Sequence, residues 1–168
     1  MYGDWARKNW RQVAEMDAKT VIIFIGIQAS GKSSFYQERF PDLPHVNLDI
    51  LHTRNKERLL IQECVEAERS FVVDNTNPTK ADRETYIRIA KKYGYRVCGY
   101  YFQSAVSTCI ERNRKREGKS RIPDKAIAAT HHKLELPDYE EGFDQLFYVY
   151  MENGSFVIEN WDKSKEGS

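Results

Sequence analysis

Short apolar runs alternate with amphipathic stretches along most of this chain. The run TVIIFIG at 20–26 is apolar almost throughout and rich in β-branched residues, which predicts a strand buried on both faces. A short helix is expected from Ser33, stopped by the prolines of FPDLP. HVNLD at 45–49 reads as a second short strand ending in an acid, and 54–69 as a helix with Leu59, Leu60, Cys64 and Ala67 on one face. SFVVDNTNP predicts a third strand that also ends in an acid, with Asn77 before Pro78 as a helix start. That helix buries Tyr86, Ile89 and Ala90, runs to Tyr93 and is closed by Gly94. RVCGYYF is a fourth strand, and Ser104 is placed to cap a helix that runs into the basic stretch RNRKREGKSRIP. A helix over 124–134 follows, then two strands, FDQLFYVYM and SFVIENW, around the turn ENG.

Strands alternating with helices predict an α/β domain: a mainly parallel sheet covered by helices on both faces, with ligands at the carboxyl ends of the strands. Trp5, Ala6, Trp10, Val13 and Ala14 fall on one face of a helix that Asp4 can cap, so 1–19 reads as a helical extension docked on the body. The domain proper is expected over 20–161, with a tail at 162–168 that frays.

Composition narrows the class. At 168 residues with 40% hydrophobic and 30% charged side chains, the chain suits one soluble globular domain with a real core. Its net charge of +1 gives no global attraction to nucleic acid, so any basic site must be local. No apolar run reaches the length of a membrane span, and no signal-peptide hydrophobic region opens the chain. Cys64, Cys98 and Cys109 are odd in number and scattered, which reads as reduced core thiols and a cytoplasmic protein.

The stretch FIGIQASGKSSF carries the chemistry. Gly26, four residues, then Gly31, Lys32 and Ser33 have the spacing of a phosphate-cradling loop, here between an apolar strand and a helix start. The glycines let amide N–H groups turn inward at phosphate oxygens, Ala29, Ser30 and Ser34 complete the curl, and Lys32 adds a charge at the β and γ phosphates. The Ser33 hydroxyl is placed for Mg²⁺, and Asp74, after FVV, is assigned to the same metal. Asp49 is then the candidate general base toward an attacking hydroxyl, with a helix cap as its plainer reading.

Arg112, Arg114, Lys115, Arg116, Lys119 and Arg121 crowd the stretch from 112 to 123. Arg112 and Arg116 are four apart and share a helix face, which fits a lid delivering two guanidinium groups to a transferring phosphoryl. A solvated helix face is the plain alternative. His131 and His132 point to different helix faces with no partner motif, and Tyr100, Tyr101, Phe102, Phe147, Tyr148 and Tyr150 alternate as strand residues of a core.

Taken together, GIQASGKSS, NLD, VVDNTNP and RNRKREGK with its following IP resemble the 5′-hydroxyl polynucleotide kinase family and its single-domain P-loop relatives, with zeta-toxin-like kinases more distant. The resemblance covers roughly 20–150 and extends to LPDYEEGFDQL. It implies the P-loop NTPase/kinase fold with a helical basic lid, ATP and Mg²⁺ as cofactors, Asp49 as base, and Lys32, Arg112 and Arg116 on the donor phosphates. It also puts Asp74 and Asn77 in the active-site cleft. The acceptor half departs from the family's pattern: Leu48 stands where an arginine usually precedes the base, leaving His52 and Arg54 as the nearest substitutes. Ile122 beside the lid can line an acceptor pocket or simply precede a helix. No Asp-x-Asp-Gly-Thr phosphatase motif occurs. The expected activity is transfer of a γ-phosphoryl group to a hydroxyl, first a polynucleotide 5′ end, alternatively a nucleoside, nucleotide sugar or antibiotic, and less so a nucleotide-dependent switch. Oligomeric state is not written in the sequence.

Overall fold

The computed structural model describes residues 18–166; the expected N-terminal helix lies outside the described residues. Six strands form one sheet in the order β2-β3-β1-β4-β5-β6. They are β1 (Thr20–Ile25), β2 (His45–Val46), β3 (Phe71–Val73), β4 (Arg96–Phe102), β5 (Gln145–Glu152) and β6 (Ser155–Asn160). β1 pairs in parallel with β3 and β4, and only the β5–β6 hairpin is antiparallel. Its turn carries Asn153 and Gly154 at φ 50° and 76°, the left-handed pair a two-residue hairpin needs.

The helices are α1 (Lys32–Arg39), α2 (Leu48–Leu51), α3 (Arg54–Glu66), α4 (Lys80–Lys92), α5 (Val106–Arg114) and α6 (Asp124–Lys133). Alternation along β1 sorts the core. Val21, Ile23 and Ile25 face Ile61, Cys64, Tyr86 and Ile87 of α3 and α4, whereas Ile22 and Phe24 meet Phe35 of α1 with Phe40 and Tyr100. A third cluster, Ile27, Ala29, Cys109 and Ile127, seats α5 and α6 against the loop that follows β1. The three cysteines are free and buried. No helix among the described residues is long and apolar enough to cross a membrane.

Several local expectations are corrected. β2 stops at Val46 and does not carry Asp49: the Asn47 side chain accepts the Asp49 and Ile50 N–H groups and starts α2 instead. The inward face of α3 is Glu57, Ile61 and Cys64, with Leu59 44% exposed, because Glu57 turns into a polar network. α4 starts at Lys80 under a Thr79–Asp82 capping box, so Asn77 is not its cap. Ser104 is not the cap of α5, whose N-cap is Ala105. α5 ends at Arg114, and Arg116 lies beyond it. Of the expected tail at 162–168, Lys163–Lys165 form a short 3₁₀ turn capped by Asp162, and 167–168 lie outside the described residues.

Candidate functional site

β1 is flanked by β3 and β4, and the chain crosses from one side of β1 to the other, so the crevice at its carboxyl end is the ligand-binding edge such sheets provide. The loop that leaves β1 is shaped by two glycines for different reasons. A Cβ on Gly26 would sit 2.8 Å from Ser30 Oγ and 3.0 Å from Phe102 Cβ. Gly31 has φ 102° and precedes α1, and a Cβ there would press on the Phe156 ring at 3.2 Å. Ser104, at the end of β4, accepts the Ile27 N–H at 3.2 Å and donates to Phe102 O at 2.8 Å, tying the loop to the sheet.

Lys32 is buried, and its Nζ donates to Gly26 O and Ile27 O at 2.9 Å each. Burial lowers its pKa to about 8, helped by Arg116, while the Asp74 and Asp49 carboxylates push the other way.

Asp74 follows β3 and is 3% exposed. Its Oδ2 accepts from Ser33 Oγ at 2.9 Å and from Asn47 Nδ2 at 3.2 Å, and lies 2.6 Å from His45 Nε2. Burial opposes the charge on this carboxyl, but hydrogen bonds from His45 and Ser33 and the Lys32 ammonium outweigh it and hold its pKa below the usual carboxylate range. His45 is stacked on Tyr36 of α1, ring centroids 3.7 Å apart and 9° from parallel. Asp49 is exposed in the first turn of α2; its carboxylate makes no hydrogen bond or ion pair among the described residues.

Of the two arginines expected in a lid, Arg112 Nη1 reaches Ala29 O of the loop at 3.4 Å, and exposed Arg116 bonds Ser120 O at 3.3 Å. Asn113 between them is buried and clamps Ile122, donating to its carbonyl at 2.6 Å and accepting its N–H at 3.0 Å. Ile122 is also packed on the third core cluster. Asn77 does not face the cleft with its amide: at φ 45° it donates to Phe24 O at 2.8 Å. Exposed His52 ends α2 at φ 68°, and Arg54 bonds Glu57 Oε1 and Tyr86 OH at 2.9 and 3.1 Å.

Reading the sequence missed His45, Asn47 and Asn113, and gave Ser104 a cap's role instead of its tie to the loop. The spacing of His45 and Asn47, two apart in an extended stretch, was the available signal that both side chains reach one neighbour. Ser104 and Asn113 gave no such signal, because their partners are distant in sequence.

The site fits a nucleoside triphosphate and Mg²⁺. A buried ammonium is resting on the loop's own carbonyls, a hydroxyl and a low-pKa carboxylate stand beside it, and α1 begins at the loop. A lysine held this way at the end of the central strand, with an acid on the next strand, is the arrangement of the P-loop NTPase fold. Within that class the chain belongs to the family described as AAA domain, whose profile matches residues 21–137. A bifunctional polynucleotide phosphatase/kinase of Schizosaccharomyces pombe is 29% identical over 128 residues, covering 73% of this chain and 31% of the relative. An L-seryl-tRNA(Sec) kinase of Methanococcus maripaludis is 26% identical over 144 residues, covering 74% of this chain and 56% of the relative. The chain therefore spans less than two thirds of either relative. The crystal structure of Chaetomium thermophilum Kti12 in complex with ADP-AlF3 has the same fold, with a TM-score of 0.59 at 15% identity over 88% of this chain and 93% of that one.

Proposed function

We propose that the chain is an ATP-dependent phosphotransferase that moves the γ-phosphoryl group to a hydroxyl, first of all the 5′-OH end of a polynucleotide. The observation that carries this reading is Asp49: an exposed carboxylate with no hydrogen-bond partner among the described residues, on a backbone tied through Asn47 to Asp74, the partner of Ser33. A free carboxylate at that edge supports a proton acceptor for the hydroxyl of a second substrate.

In the proposed reaction Asp49 accepts the proton of the acceptor hydroxyl as its oxygen bonds to the γ-phosphorus. The bond from phosphorus to the β–γ bridging oxygen breaks, ADP leaves with the electron pair, and Asp49 later releases the proton to solvent. Lys32, Arg112 and Arg116 balance the charge spreading over the transferring group. Ser33 and Asp74 would hold Mg²⁺, which when bound neutralises charge on the β and γ oxygens. His45 and Asn47 keep Asp74 ionised and aimed at Ser33.

A second reading, a small hydroxyl compound as acceptor, is favoured by one feature. α2 carries no cation from Leu48 to Leu51, and the nearest arginine, Arg54, is engaged by Glu57 and Tyr86. The similarity to a kinase named for seryl-tRNA also points to acceptors other than a strand end. The deciding experiment is γ-labelled ATP with Mg²⁺ and short 5′-OH DNA and RNA oligonucleotides, wild type beside Asp49→Ala. Label on the oligonucleotide with wild type alone supports the 5′-kinase. No label despite normal ATP binding sinks it and turns the search to small hydroxyl compounds.

A further inference from the structure

Asp49 rides on α2, a four-residue helix that has no buried residue of its own. Leu51 at its far end packs, partly buried, against the main core cluster, and side-chain hydrogen bonds to its backbone hold the first turn that carries Asp49. One comes from the capping Asn47. The other comes from Asn75, the residue after Asp74, whose Oδ1 accepts the Leu48 N–H at 3.0 Å.

Asn75 is itself oriented from behind. Its Nδ2 donates to Glu57 Oε2 at 3.1 Å and lies 3.3 Å from Tyr86 OH. Glu57 is 6% exposed and also accepts from Tyr86 OH, at 3.0 and 3.1 Å, and from Arg54 Nη1 at 2.9 Å. An ionised carboxylate only accepts, so it dictates which end of the Asn75 amide faces it and leaves the oxygen for Leu48. The proposed reaction makes no use of Glu57, although burying a charge there is costly unless its partners matter.

We propose that Asn75 is a positioning residue for the phosphoryl-transfer step, with Glu57 setting the orientation of its amide. The proposal rests on the reading of Asp49 as the base. Asn75 spans from the strand end that carries Asp74 to the first N–H of the helix that carries Asp49. It thereby sets the reach of the base relative to the phosphate side, where an error of an ångström is felt in rate and not in nucleotide binding.

The test compares Asn75→Ala, Asn75→Asp, Glu57→Gln and the double variant Asn75→Asp/Glu57→Gln in the full chain. Steady-state kinetics, ATP binding and hydrogen exchange at the Leu48 amide are read for each. Asn75→Ala should lower kcat about 10–100-fold with the ATP Kd unchanged, and should speed exchange at Leu48 while β1 and β3 amides stay protected. Asn75→Asp sets two carboxylates face to face and should fall at least as far. In the double variant the introduced amide donates to the introduced carboxylate, which still accepts from Leu48, so kcat should recover to within about tenfold of wild type. A purely structural clamp would lower thermal stability in the single variants and restore it in the double without moving kcat; that result, or unchanged Leu48 exchange in Asn75→Ala, overturns the proposal. The parallel Asp49→Ala variant separates the two levels. If it keeps wild-type turnover, the base reading fails by itself, whereas its loss with an unaffected Asn75→Ala kcat rejects only the positioning role.

Discussion

Asp49 and Asp74 are joined through one amide. Asn47 donates from Nδ2 to Asp74 Oδ2 at 3.2 Å, and its Oδ1 accepts the Asp49 backbone N–H at 2.8 Å. The acid proposed for the metal and the acid proposed for the proton are thus set by the two ends of a single planar group, which cannot shift one without the other.

Asn47→Ala should therefore do two things at once. Loss of the cap should cost about 1–2 kcal/mol of stability, and turnover should fall by about tenfold or more as α2 loosens. Asn47→Asp separates the effects, because it keeps the cap but sets a second carboxylate against Asp74. Facing carboxylates raise one another's pKa, so the folded state holds extra protons and the stability deficit should shrink as pH falls from 7 toward 5. Thermal melts across that range decide it; a pH-independent deficit would contradict the geometry.

The two arginines proposed to meet the transferring phosphoryl should not behave alike. Arg112 already contacts the phosphate loop through Ala29 O, whereas Arg116 lies past the end of α5 and bonds within its own turn. Arg112→Ala should weaken ATP binding as well as turnover. Arg116→Ala should leave the ATP Kd within about threefold and lower kcat by about a thousandfold, the scale of an arginine that meets charge only in the transition state. Lysine at 116 should rescue little, since it lacks the planar fork. Steady-state kinetics with ATP titrations distinguish the two; equal effects of both substitutions on Kd would refute the division.

Arg83 is fully buried and bonds Glu141 through Nε and Nη2 at 2.8 and 3.0 Å, with Nη1 on Asn77 O and Pro78 O at 3.0 and 3.2 Å. This pair moors the segment after Asp74 to a stretch that lies beyond the matched family profile. Arg83→Met should cost about 3–5 kcal/mol in urea unfolding, because the Glu141 carboxylate loses its buried cation and keeps only the Asp138 N–H as a donor, while Asn77 O loses its guanidinium donor. Arg83→Met/Glu141→Leu should recover part of that loss. If the single substitution costs under 1 kcal/mol, the pair is not the mooring the geometry describes.

The parts of the site that could be read in the sequence are those whose cause is local. β1, the glycine loop and the start of α1 follow from an apolar run and the spacing of Gly26, Gly31 and Lys32, and Asp74 follows directly from β3. Asp49 was misplaced because HVNLD looks extended, while the Asn47 side chain offers the backbone a helical start that strand pairing does not outbid. Asn77 before Pro78 has the local form of a cap, yet its amide is taken by Phe24 O, 53 residues away in the chain. Glu57 is the strongest case: helical periodicity sends an acid outward, and only the joint presence of Arg54, Asn75 and Tyr86 turns it in. Contacts of this kind are tertiary, so no window along the sequence contains them.

The pKa of Lys32 gives the most direct test of the phosphate loop. In the free protein burial brings it down from 10.5 to about 8, so near pH 8.5 much of the population has lost the charge that the loop is built to present. Phosphate oxygens favour the ammonium, and ATP binding at that pH must therefore take up a proton. Between pH 7 and 9.5 the ATP Kd should be flat at first and then weaken by up to tenfold per pH unit above about 8, with a binding enthalpy at pH 8.5 that depends on the buffer's ionisation heat. Stability should move the opposite way. The folded pKa lies below the unfolded one, so between about 8 and 10.5 the unfolded chain holds more of this proton, and the penalty for burying the charge is relieved as pH rises. Lys32→Met should abolish both slopes, with ATP affinity weak and independent of pH and with no stability gain above pH 8. A wild-type Kd that stays constant to pH 9.5 would mean that Lys32 keeps its proton in the free loop, and that the carbonyls of Gly26 and Ile27 hold the ammonium more firmly than its burial opposes it.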